Sequence, residues 1–177
     1  TDPPVRHHPL QFLRPLAGTK PLAMSRPIAV FPGSFDPITV GHVSIVQRAL
    51  PLFDRIVIGM GVNQTKRTMF APEQRLAWIR AAFKHHPQVE TVAFEGLTVD
   101  LCKRVGDSFI VRGLRNSTDH GYERSIALMN RQLAGVETIF LPSASEHAHI
   151  SSTIVRELIA NKADVSAFVP MDLSGVL

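Results

Sequence analysis

Cysteine is nearly absent: Cys102 is the only one in 177 residues. That excludes an internal disulfide framework and suits a reducing cytoplasm. The residue sits in an apolar helical pattern, where packing explains it more simply than reactivity. No apolar run approaches the roughly 18 residues that a membrane span requires. Runs of lysine or arginine are missing, as is the interleaving of basic and aromatic residues used by single-strand binders. The formal charge of +4 belongs partly to residues 1–23, and the remainder carries 16 basic against 14 acidic residues. Bulk charge therefore gives no reason to invoke nucleic acid. No His/Cys grouping has zinc spacing, and the G-x-G-x-x-G fingerprint of a redox nucleotide site is lacking.

Residues 1–23 differ from the rest. They hold five of the 13 prolines, show no periodicity and lack the continuous apolar stretch of a signal peptide. "MSRPIAVF" follows at once. The expectation is a disordered or artificially added leader over 1–23 and a single domain over 24–177, a length that fits one core.

From residue 26 strands and helices alternate. Strands are predicted at 26–31, 54–62, 89–96, 108–113 and 137–141. Helices are predicted at 40–53 with positions 43, 46, 50 and 53 inward, at 71–86 with Leu76, Ile79 and Phe83 inward, and at 97–106, 119–134 and 152–161. Pro72 opens the second helix and basic residues close it. Short, continuously apolar strands between helices specify an α/β fold: a Rossmann-like, doubly wound, five-stranded parallel sheet with helices on both faces. In such sheets ligands bind beyond the carboxyl ends of the strands. Polar clusters follow strands 1, 2, 4 and 5.

The first is "FPGSFDPITVGH", residues 31–42. Thr39 can cap a helix and put Gly41 and His42 in its first turn, where backbone N–H groups and the dipole attract anions. A tight turn with an incidental histidine is the plainer alternative. The second, "NQTKRTMF", brings Lys66 and Arg67 to the same mouth; a solvated basic loop would read alike. The third, "VRGLRNSTDHGYE", flanks Gly-Leu with Arg112 and Arg115, whose planar forks suit phosphate oxygens, though a structural ion pair is the alternative. The fourth, "SEHAHISSTIVRE", opens the last helix with Ser151, Ser152 and Thr153, which ordinary capping would also explain. His85 and His86 at a helix end, and His120 in a loop, read as surface residues.

"GSFDPITVGH" resembles the (H/T)xGH signature of the nucleotidyltransferase superfamily. With "KRTMF", "RGLR…YE" and "ISST", the chain from about 24 to 170 is similar to the phosphopantetheine adenylyltransferases. That resemblance implies transfer of AMP from ATP to 4′-phosphopantetheine, giving dephospho-CoA and pyrophosphate. It implies catalysis by His42, Lys66 and Arg112, with Lys66 contacting both phosphates and Arg112 the acceptor phosphate. ATP would meet Ser34, Phe35, His42, Gly113, Leu114, Arg115, Glu123, Ser151, Ser152 and Thr153. The acceptor would meet Ser34, Lys66, Leu97, Thr98 and Arg112. Mg²⁺ would arrive on the ATP phosphates, coenzyme A would bind in feedback, and the oligomer would be a hexamer. The chain departs from the pattern at His147 and His149, where the family carries aromatic side chains in a segment one residue shorter. Ser34 replaces a frequent threonine but keeps the hydroxyl. Rival readings are another adenylyl- or cytidylyltransferase, acting on nicotinate mononucleotide or a polyol phosphate, a nucleic-acid-binding module, and a catalytically dead nucleotide sensor.

Overall fold

The computed structural model describes residues 26–63, 65, 67–106 and 108–172. The expected leader over 1–23 and Lys66 lie outside the described residues. Five strands, β1 (Ile28–Gly33), β2 (Arg55–Gly61), β3 (Val89–Phe94), β4 (Ser108–Leu114) and β5 (Thr138–Pro142), alternate with five helices, α1 (Val40–Ala49), α2 (Pro72–Ala82), α3 (Thr98–Val105), α4 (Ser117–Ala134) and α5 (Ser152–Ala160). The strands pair in parallel in the order β3-β2-β1-β4-β5. The doubly wound five-stranded sheet expected from the apolar pattern is what forms.

Alternation along the strands explains why both strand faces are apolar. Ala29, Phe31, Ile56 and Ile58 join Ile45, Val46 and Ala49 of α1 and Ile79 of α2 in one core. Val30, Val57 and Ile110 join Val99, Leu101 and Cys102 of α3 in the other. Successive side chains feed opposite layers, so neither face could be polar. Gly59 of β2 is where α3 comes closest: a Cβ there would lie 2.5 Å from Leu101 Cδ2.

The strand order reverses at β1, between β2 and β4. The β1–β4 ladder covers Ile28–Ser108, Ala29–Phe109 and Val30–Ile110 only. Both strands then continue without pairing to each other, β1 to Gly33 and β4 to Leu114. A gap therefore opens at their carboxyl ends, the place where ligands enter doubly wound sheets.

Several local expectations are corrected. Helix α1 stops at Ala49, and Pro51 sits in a 3-10 turn over Leu50–Leu52, because proline cannot continue the helical ladder. The buried residues of α1 are Ile45, Val46 and Ala49, with Val43 and Leu50 only partly buried. In α2 Ile79 and Phe83 are buried as expected, but Leu76 is partly exposed and Arg75 is 1% exposed. Helix α4 starts at Ser117, since the Asn116 side chain caps it by accepting the Asp119 N–H at 2.9 Å. His120 is therefore helical rather than in a loop, exposed, with its ring edge against Phe140.

Candidate active site

The N-terminus of α1 builds the first wall. Thr39 and His42 form a reciprocal cap: the His42 N–H donates to Thr39 Oγ1, and the Thr39 N–H donates to His42 Nδ1 at 3.0 Å. Histidine thus takes the place that Glu or Gln holds in the usual box. Since Nδ1 accepts a backbone N–H, the ring proton of the neutral form belongs on Nε2. The ring lies edge-on to Phe35, with centroids 5.2 Å apart, and to Phe31 at 6.3 Å. Burial, then the nearby Arg112 and Arg115 charges, lower its pKa from 6.5 to about 4. His42 is neutral at pH 7 and fixed as an Nε2–H donor. Phe35, 2% exposed, adopts φ +46°, a strained value for a non-glycine residue. Its ring leaves no room at Gly33, where a Cβ would fall 2.9 Å from Phe35 Cζ.

Across the gap, Arg112 of β4 donates Nε–H to Glu123 Oε2 at 2.7 Å and Nη2–H to Glu123 Oε1. Its Nη1–H donates to the Pro32 carbonyl at 2.6 Å, so one side chain spans the parted strands. Arg115 forms a two-point pair with Asp119 at 2.8 and 3.2 Å. The ion pairs weighed from the sequence as alternatives to phosphate binding are therefore present. The hydroxyls at α5 are likewise engaged: Ser151 accepts the Ile154 N–H, Ser152 donates to the Pro37 carbonyl, and Thr153 accepts from Arg156. What α5 leaves for a ligand is the backbone N–H groups of Ser152 and Thr153, which have no helical partner, the Ile154 N–H being taken by Ser151.

Two cavities meet here. A polar chamber of about 290 Å³ includes Ser34, Phe35, Gly41, His42, Arg112, Gly113, Arg115, Glu123, His147 and Ser151, Ser152 and Thr153 in its lining. An apolar crevice of about 250 Å³ runs between α3 and α4, with Phe94, Thr98, Ile110, Ile126, Ala127 and Asn130 in its walls. Pro32, Gly33, Arg112 and Glu123 belong to both. Leu97 is exposed and lines neither, nor does Leu114.

Residues 30–158 match the cytidylyltransferase-like family. The phosphopantetheine adenylyltransferase of Flavobacterium psychrophilum is 51% identical over 142 residues, covering 80% of this chain and 94% of that one. That of Bacteroides fragilis is 47% identical over 80% of this chain and 95% of its own. The chain belongs to the phosphopantetheine adenylyltransferase family. A solved structure from Francisella tularensis, a bifunctional NMN adenylyltransferase/ADP ribose pyrophosphatase complexed with AMP and manganese ion, superposes with TM-score 0.64 at 17% identity, covering 83% of this chain and 45% of that one. At that identity the likeness speaks for the fold.

In this member of the phosphopantetheine adenylyltransferase family, three charged residues brace the site in a role that no sequence motif marks. Asp36, 4% exposed, accepts the Met69 and Phe70 N–H groups at 2.9 and 3.0 Å. Arg75 reaches back from α2 to the Phe70 carbonyl at 3.1 Å and the Ser34 carbonyl at 2.6 Å. Arg156 of α5 donates to the Asp36 carbonyl at 2.6 Å. Together they tie the end of the loop after β2 to the loop after β1. Arg75 stands four and eight residues before the inward Ile79 and Phe83, so its spacing points to the core; it is the charge of arginine that reads as solvent-facing. Asp36 lies in the loop after β1, where a turn aspartate carries no local sign of the distant N–H groups it accepts.

Proposed function

We propose that the two chambers hold the two substrates of adenylyl transfer, with ATP in the polar one and the arm of 4′-phosphopantetheine in the apolar one. The observation that carries the reading is their junction: a single arginine, Arg112, lines both. A long, weakly polar arm suits the crevice between α3 and α4, which Thr98 lines; Leu97, which lines neither chamber, is assigned to the arm by resemblance alone. A triphosphate suits the chamber that combines His42, Arg115 and the first turns of α1 and α5.

In the reaction, an oxygen of the acceptor phosphate attacks the α-phosphorus of ATP. The new P–O bond forms as the bond to the β-phosphate oxygen breaks, and pyrophosphate leaves. The acceptor is already an anion, with a second pKa near 6 for such monoesters, so no strong base is required. Rate comes from holding two anions in line and offsetting charge on the α-phosphoryl oxygens. His42, neutral and protonated on Nε2, supplies a donor there rather than a base. In this reading Lys66 bridges the acceptor and α-phosphates, Arg112 holds the acceptor phosphate and Arg115 the nucleotide phosphates. Ser34, Phe35, Gly113 and Glu123, with Ser151, Ser152 and Thr153, line the chamber given to the nucleotide; Leu114, which lines neither chamber, is assigned to it by resemblance alone.

Mg²⁺ carried by ATP would supply charge neutralisation on the phosphates. The described residues contain no group of three His, Cys, Asp or Glu able to cage a metal. The two acidic residues lining the polar chamber, Asp119 and Glu123, are both turned to arginines. We therefore assign no protein ligand to the cation. Coenzyme A carries both the arm and the nucleotide, so feedback binding would use the same chambers. No described helix is long and apolar enough to cross a membrane, and nucleic acid has no part in the reading. The cytoplasm is its compartment in this reading, in keeping with a single, buried cysteine, Cys102. Self-association, to a hexamer by resemblance, is supported by α4: it has no buried residue, and Tyr122, Ile126, Met129 and Leu133 expose an apolar row at helical spacing.

Pyrophosphate release from ATP, with phosphopantetheine or nicotinate mononucleotide as acceptor, tests the assignment. Release with phosphopantetheine alone is expected. Release with nicotinate mononucleotide alone would move the enzyme to another branch of the superfamily.

A further inference from the structure

We infer that Glu123 is the positioning residue for Arg112, fixing the guanidinium across the gap between β1 and β4 so that its remaining N–H groups face the acceptor phosphate. The inference rests on the chamber assignment above, and the argument begins with a count of donors. A guanidinium has five N–H groups. Three are engaged, with Glu123 Oε2, Glu123 Oε1 and the Pro32 carbonyl. Two remain, one on each terminal nitrogen, so an anion can be gripped without releasing any existing partner.

The backbone cannot do this work. Ladder pairing of β1 with β4 ends at Val30–Ile110, and Arg112 lies two residues further along β4. Glu123 comes from α4, a helix with no buried residue, yet its own side chain is only 12% exposed. A half-enclosed carboxylate repels the polyanions that this chamber is built to take. Its presence is accounted for when the charge serves to orient arginine. The rival account makes Glu123 a resident anion that the acceptor must displace. The two accounts predict opposite signs for one substitution.

Glu123→Gln keeps the side-chain volume, removes the repulsive charge and leaves only one acceptor for the two arginine N–H groups. The test measures the Kd for phosphopantetheine by titration calorimetry, KM for both substrates by pyrophosphate release, and Tm. It uses wild type, Glu123→Gln, Arg112→Ala and the double variant. For Glu123→Gln we expect Kd and KM for phosphopantetheine to rise about 10- to 100-fold, the loss of a charged hydrogen bond, with KM for ATP moving less than about threefold. In the Arg112→Ala background the same change should alter acceptor Kd less than about twofold, the mark of an effect transmitted through Arg112. Arg112→Lys, which keeps the charge but lacks the fork, should lose as much as Glu123→Gln.

A lower acceptor Kd in Glu123→Gln would overturn the inference in favour of a displaced anion. An undiminished effect in the double variant would overturn it in favour of direct substrate contact. A Glu123→Gln protein already melted at assay temperature, with Arg112→Lys fully active, would make the pair a fold element only. Should wild type refuse phosphopantetheine altogether, the substrate assignment fails, and the same cycle applies to whichever phosphate acceptor it does use.

Discussion

His42 is the residue whose environment says most about its task. A ring with Nδ1 committed to a backbone N–H and a pKa near 4 is a poor base at neutral pH but a well-aimed donor. His42→Ala should lower kcat by about 10²- to 10³-fold, as removal of an oxyanion-hole donor does, with a modest change in KM for ATP. A large rise in that KM at unchanged kcat would make it a ground-state binder. The same pKa has a consequence for stability. Its folded value lies below the ordinary 6.5, so between about 6.5 and 4 the unfolded chain binds this proton and the folded one does not. The contribution is complete above about 6.5 and is lost as the pH falls toward 4. His42→Gln, which preserves a side-chain acceptor at the cap, should therefore show a smaller drop in Tm from pH 7 to pH 5 than wild type. Both His42 and Arg112 were legible in the sequence as candidates, one in the first turn of the helix that follows β1 and the other near the carboxyl end of β4. Their partners were less so. That Arg112 would meet Glu123 depends on how α4 packs beside β4, which no local spacing shows.

Among the elements, the loops after β1 and β2 act as one unit. Asp36 holds two N–H groups of the second loop, and Arg75 holds a carbonyl from each. Asp36→Asn keeps the size of the side chain but loses one of the two acceptors. It should lower Tm and reduce kcat together, because the residue touches no proposed substrate position yet ties down the end of the loop that carries Arg67. A fall in Tm with full kcat would mean that the tether serves the fold alone. Gly59→Ala tests the packing of α3 on the sheet. The added methyl must push Leu101 aside, and overpacking of this kind costs about 1–3 kcal/mol, a few degrees in Tm for a domain of this size. The α/β alternation was readable because both faces of each inner strand are covered. Buried Arg75 was not, since its charge looks solvated, even on the face shared with Ile79 and Phe83, until the carbonyls it serves are known.

At the scale of the molecule, α4 does two things at once. Its residues Ile126, Ala127 and Asn130 help wall the apolar crevice, while Tyr122, Met129 and Leu133 stand 70%, 55% and 59% exposed. If copies of the chain cover that row, sedimentation should give a mass several times the 19.5 kDa of one chain, and Leu133→Glu should reduce it. A monomer at micromolar concentration would refute the self-association reading. A helix braced mainly by neighbouring molecules also obeys mass action. Diluted far enough, the protein would shed its neighbours, the crevice wall would slacken, and turnover per chain would fall even though every chain remained folded. Specific activity plotted against enzyme concentration should then bend downward at the dilute end, and saturating phosphopantetheine should straighten it.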